Sequence, residues 1–224
     1  MAMFGLIVLS FLFAATHIGM SHGNFRSNMI EKRGEMGFRA IYSAVSLITF
    51  VGALYLFTKL KGQGAPLWEA PGLSYLFGYP LMLTSFFLLF QVPANPSPAG
   101  MMPAGFEPKG TLAITRHPMN MGIAMFALAH IIGNGYLADM AFFGSLLVTG
   151  FVGAYHQDKR KAEELGKDFV RMQVTTSIFP FAAILSKRAR FNSEDVNMPL
   201  AILACVAFAA LVLGHGHLFG KTLW

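Results

Sequence analysis

Six apolar runs organise the chain, at roughly residues 2–22, 40–59, 74–92, 118–134, 139–156 and 198–217. Between them lie the polar stretches that carry nearly all of the charge. A hydrocarbon core of ~30 Å needs about 20 helical residues to cross it. A backbone in lipid has to satisfy its own polar groups. The expected fold is therefore all-α, a multi-pass transmembrane helix bundle of five to six spans in a single domain over 1–224. The fourth run is the shortest and the fifth little longer, so residues 118–156 are expected as a hairpin that either crosses or stops at mid-membrane. Pro80 in the third run is expected as a kink that a membrane helix tolerates. The first run lacks a leading basic residue, so it reads as a retained helix rather than a cleaved signal.

Between the spans, the proline-rich stretch 92–108 reads as a loop at the interface or closing over a site. Residues 152–181, "VGAYHQDKRKAEELGKDFVRMQVTTSIFPF", read as a helix leaving the membrane, with Glu163 and Lys167 at i,i+4. Gly166 interrupts that helix, and Pro180 stops its continuation.

Composition agrees with the runs. The chain is 54% hydrophobic and 12% charged, against about 25% charged in soluble domains. The net charge of +6 and pI of 9.6 are a matter of placement. Loops 23–39, 93–117 and 157–197 hold Arg26, Lys32, Arg33, Arg39, Lys109, Arg116, Lys159, Arg160, Lys161, Lys167, Arg171, Lys187, Arg188 and Arg190. The opposite side keeps Lys59, Lys61 and Lys221. The positive-inside rule puts the richer side in the cytoplasm and both termini outside. The basic charge is thus a topology signal, with the lipid bilayer as partner and no nucleic acid. The lone Cys205 excludes an internal disulfide and a cysteine-rich metal site.

Candidate chemistry rests on seven histidines, since ionisable groups inside spans are costly and mark functional sites by default. His17 lies late in the first run, either as a ligand or as a polar group bonded to a neighbouring helix. His22 sits nearer the headgroups. His130 lies within the apolar fourth run and reads as a metal or haem ligand. His117, beside Arg116 and just before Pro118 at the cytoplasmic mouth, reads either as a phosphate or cofactor contact, since both residue types suit anions, or as a simple interface anchor. His156 ends the fifth run and reads as structural. His215 and His217 form a pair without a third ligand. No phosphate-cradling glycine loop, HExxH, CxxC or GxSxG occurs, and no paired intramembrane carboxylates supply acid–base chemistry.

The block "TRHPMNMGIAMFALAHIIGNG" (115–135) strongly resembles the NnrU family of membrane proteins, which includes plant and cyanobacterial 15-cis-zeta-carotene isomerases. Agreeing blocks follow in order over nearly the whole chain. They are His17 followed by Arg26, "RGEMGFRAIYSAVSL" (33–47), "LW" at 67–68, "GKDFVRMQVTTSIFPFAAI" (166–184) and a last apolar span. The resemblance implies a bacterial inner-membrane protein associated with denitrification, with periplasmic termini. In the isomerase branch haem b is held by two histidines, which map here to His17 and His130, with His22 as fallback for the first. It further implies a redox-dependent isomerase of an apolar, polyene-like small molecule, and Arg116 and His117 as cofactor-binding residues, Arg116 toward a haem propionate.

The spacing sets a condition on that pair. If all six runs cross, His17 and His130 differ in depth by roughly 18 Å at ~1.5 Å per residue, whereas axial ligands on one iron stand about 4 Å apart. A hairpin that stops at mid-membrane removes the conflict; otherwise His117 is the nearer partner for His17. Two other readings stay open. The RHP block, with Glu163 and Glu164 beyond it, also resembles isoprenylcysteine and phospholipid methyltransferases, which bind S-adenosylmethionine. A non-catalytic haem-binding or assembly factor for nitric oxide or nitrite reduction is the third. Oligomeric state is not legible from the sequence.

Overall fold

The structure is a computed structural model that describes residues 1–21, 23–69, 71–100 and 104–220. His22, the fallback ligand, lies outside the described residues. The described chain is helical throughout, with no strand. The helices are α1 (Ala2–Met20), α2 (Gly23–Leu60), α3 (Pro71–Leu73), α4 (Tyr79–Gln91), α5 (Thr111–Ile114), α6 (Pro118–Gly133), α7 (Leu137–Leu165), α8 (Lys167–Thr175), α9 (Ala182–Leu185) and α10 (Met198–Phe219). Among the described residues five stretches are long and apolar enough to cross a membrane, namely α1, α2, Ser74–Gln91, α7 and α10. The 16 residues of α6 are shorter; at ~1.5 Å per residue they reach about 24 Å.

Boundaries moved where a loop was expected. Residues 23–39 were expected as polar loop, yet they belong to α2. The single break falls at Gly34, whose φ of 71° and ψ of 168° leave the helical region, a conformation that glycine reaches without a Cβ clash. Beyond the break, Glu35 bonds Arg39 at 2.8 Å one turn on. Near Pro80, where a kink was expected, a π-helical turn, Ser74–Gly78, runs directly into α4. Proline has no N–H to return to the preceding turn, and a widened turn is a usual answer to that loss. The interruption expected at Gly166 is present, with φ at 66° between α7 and α8.

The contacts define two compact units, residues 1–78 with 127–160, and residues 79–126 with 161–224. In the first, α1 and α2 pack antiparallel in a repeating register. A Cβ on Gly5 would stand 3.2 Å from Leu56, and one on Gly52 would stand 3.0 Å from Leu9. One turn further, Phe13 meets Phe50 at 5.4 Å between ring centroids. Each helix thus offers a glycine to the other's leucine, the small-residue packing that lets membrane helices approach closely.

In the second unit, α4 packs against α10 through Tyr79 and Phe86, both edge-on to Phe208. On α4, the buried Ser85 donates to the carbonyl of Gly122 in α6 at 2.7 Å. A Cβ on Gly122 would come within 2.7 Å of Leu89. Gln91, fully buried at the end of α4, closes a two-way bond with the residue before α10. Its Nε2 donates to the Asn197 carbonyl at 2.7 Å, and its Oε1 accepts from the Asn197 N–H at 3.0 Å. Asn197 in turn caps α10 by accepting from the Leu200 N–H.

The interlock of α1 with α2 gives a direct expectation. Gly52→Leu overpacks the pair and should cost about 1–3 kcal/mol, read as a lower midpoint for loss of monodisperse protein on heating in detergent. Adding Leu9→Ala should recover part of the loss, because the two sites share one contact.

Candidate functional site

In the first unit His17 stands on α1 against two residues of α2. Its Nδ1 lies 3.2 Å from the Ser46 hydroxyl, and its ring tilts against Tyr42 at 5.0 Å. The Tyr42 hydroxyl donates to the His17 carbonyl at 3.4 Å. The register of α1 on α2 produces this: positions 5, 9, 13 and 17 form one face of α1, and 56, 52, 50, 46 and 42 follow on α2 in the opposite direction. Just beyond α1, Arg160 of α7 donates to the Ser21 carbonyl at 3.0 Å, satisfying one of the acceptors that a helix C-terminus leaves open.

His130 occupies the last turn of α6 and lies nearly flat on Phe143 of α7, at 4.3 Å between ring centroids and 19° between planes. Phe143 meets Phe57 at 5.2 Å, Phe142 stacks on Phe57 at 4.8 Å and reaches Phe50 at 5.8 Å, and Phe50 reaches Phe13 beside His17. A row of aromatic rings therefore joins the two histidines.

That row measures how far apart they are. His17 stands at the level of Ser46 on α2, and His130, through Phe143, at the level of Phe57. Eleven residues of helix separate those positions, about 16 Å at ~1.5 Å per residue. Two axial nitrogens on one iron stand about 4 Å apart. This arrangement does not fit one haem held by both rings. At His17 the Ser46 hydroxyl beside Nδ1 orients the ring, the kind of outer partner that a ligating imidazole has.

Arg116 and His117 belong to the second unit and are buried, 8% and 2% exposed. They are not at an open mouth. The segment around them is a docking joint with residues 174–181. The Arg116 N–H donates to the Ser177 carbonyl at 2.9 Å, and the Phe181 N–H to the Ile114 carbonyl at 2.9 Å. The Thr115 hydroxyl donates to the Ile178 carbonyl at 2.6 Å, and the Ser97 hydroxyl to the Arg116 carbonyl at 2.6 Å. Arg188 ties the same region from the other side through the carbonyls of Val174 and Thr176. Glu163 and Glu164, the acids of the methyltransferase resemblance, are exposed at the end of α7, with Glu164 2.8 Å from Lys161.

Sequence reasoning missed several polar partners. Tyr42 and Ser46 gave no signal beyond being polar positions four residues apart in an apolar run. Asp139 is buried in the first turn of α7, where the helix N-terminus favours a carboxylate. Asp158 is buried too. His156 is half-buried on α7, and His215 lies against Phe219 at 4.9 Å. Among the described residues no group of three or more His, Cys, Asp or Glu could hold a metal ion.

Another joint involves Leu67 and Trp68. The Leu67 N–H donates to the Gly135 carbonyl at 2.6 Å, and the Trp68 indole to the Ile132 carbonyl at 3.4 Å. A Cβ on Gly135 would overlap the Trp68 backbone.

An all-helical membrane protein with ionisable side chains set into its spans is the class these features define. The chain belongs to the NnrU protein family, which it matches over residues 5–223. It is 29% identical over 222 residues to a protein of Zea mays, "15-cis-zeta-carotene isomerase, chloroplastic". To the protein of that name in Arabidopsis thaliana it is 30% identical over 224 residues. Each comparison covers 93% of this chain and 58% of the plant protein, so the chain spans less than two thirds of the length of these relatives. No solved structure matches it.

Gly135→Ala should separate the Trp68 segment from the end of α6. The expected cost is about 3 kcal/mol or more, seen as a red shift of tryptophan emission and a lower melting midpoint. Ser46→Ala should cost only ~1 kcal/mol but raise labelling of His17 by diethyl pyrocarbonate several-fold, measured by peptide mass spectrometry.

Proposed function

We propose that this chain is a membrane isomerase that acts on a carbon–carbon double bond of an apolar, polyene-like molecule taken from the bilayer. The observation that carries this reading is the likeness to two plant proteins named as isomerases, over 93% of the chain. The aromatic row of the first unit is in keeping with it, since ring faces suit an extended apolar substrate. The setting proposed is the bacterial inner membrane with both termini periplasmic, which places the basic loops on the cytoplasmic face.

Haem b is part of the proposal as a group held by one histidine, and His17 is the residue proposed. If bound there, haem iron would supply one-electron redox chemistry next to a conjugated bond. For their part, the residues orient and exclude water: Ser46 and Tyr42 fix the His17 ring, and Phe13, Phe50, Phe57, Phe142 and Phe143 keep the surroundings dry.

The test is incubation of the purified, reconstituted protein in the dark with a 15-cis polyene, oxidised and after reduction with dithionite, with isomers separated by chromatography. Conversion above that of heat-treated protein in the reduced state is the expected result. No conversion in either state overturns the isomerase reading and leaves the non-catalytic role in denitrification. A pyridine haemochrome assay on the same samples should give haem b, lost in His17→Ala and retained in His130→Ala. Loss in both variants would mean that the loaded protein brings the two rings together.

A further inference from the structure

The second unit carries a surface that has no part in the proposed isomerase activity. After Pro180 the chain turns through Phe181, α9 and Lys187 to Phe191. The inner side of this stretch is firmly docked: Ala183 and Ala189 are buried with Ala113, and Phe181 bonds to Ile114. The outer side is apolar. Leu185 is 82% exposed, and Phe179, Phe181 and Phe191 are exposed as well. Phe181 and Lys187 hold φ of 64° and 59°, a left-handed conformation that is strained for a non-glycine residue and persists only where the surroundings impose it.

Charge accompanies the apolar residues. Lys187, Arg188 and Arg190 lie within 179–191 and no acid does; Glu194 and Asp195 follow in a separate 3-10 turn. Arg188 is committed to backbone carbonyls, whereas Lys187 and Arg190 are exposed. The place of this surface is fixed relative to the bilayer. Only six residues separate Phe191 from Met198, where α10 begins, a reach of at most about 25 Å at ~3.5 Å per residue. Gln91 ties the end of α4 to that same point. The ends of two candidate spans, α4 and α10, therefore meet within that reach of the patch.

Aromatic and aliphatic side chains next to lysine and arginine, held rigidly within reach of span ends, are the composition of an element that rests in the headgroup layer. Basic residues there attract acidic lipids. We propose that residues 179–191 form an interfacial anchor that binds acidic phospholipid headgroups, with Phe181, Leu185 and Phe191 seated among the upper acyl chains and Lys187 and Arg190 on the phosphates.

The experiment uses the full chain with Cys205→Ser and Leu185→Cys, labelled with an environment-sensitive fluorophore and reconstituted in nanodiscs. Brominated phosphatidylglycerol and brominated phosphatidylcholine are compared as quenchers at equal mole fraction. Several-fold stronger quenching by the acidic lipid is expected, reduced to parity by Lys187→Gln with Arg190→Gln and, independently, by high salt, which screens exposed charges. Equal quenching by both lipids in the parent protein would overturn the headgroup preference. Absence of quenching by either would remove lipid as the occupant and point to a soluble partner.

Discussion

A backbone N–H or C=O without a partner costs several kcal/mol in hydrocarbon, and the irregular parts of this chain are arranged by that penalty. Among the described residues, several places where a helix ends or a segment turns meet a specific partner. Leu67 bonds Gly135, Arg160 covers Ser21, Arg116 meets Ser177, Phe181 meets Ile114, and Gln91 pairs both ways with Asn197. Helix interiors satisfy themselves; these joints do what helices cannot, and they hold the spans in register.

The same joints bring together several of the sequence blocks that resemble the family. "LW" at 67–68 and the "GNG" at 133–135 are two halves of one contact. "TRHP" and "TTSIFPF" are two halves of another. The first-span histidine and "AIYSAVSL" form a third, through His17, Tyr42 and Ser46. Arg116 and His117, read from the sequence as candidates for an anion or cofactor, lie inside one of these joints. Their side chains are buried and their backbones are bonded.

The helical, multi-pass character was legible because length and hydropathy alone decide it. So were the break at Gly166 and the disturbance at Pro80, where one residue type has one backbone consequence. The helical start of α2 was not legible, because polar residues at an interface read as loop when hydropathy is the only signal. The site was legible as residue types but not as a set. Periodicity cannot tell which helix faces which, and the 16 Å or so between the levels of His17 and His130 appears only once α2 provides a common ruler.

The glycine–leucine interlock of α1 and α2 has a consequence for depth. It works as a vernier. A slip of one turn would set Gly5 opposite Gly52 and Leu9 opposite Ile48, opening a void at one notch and crowding the next. The pair therefore accepts a single setting. How deep His17 sits in the bilayer is decided not by the lipid around it but by two missing side chains further along the same hairpin.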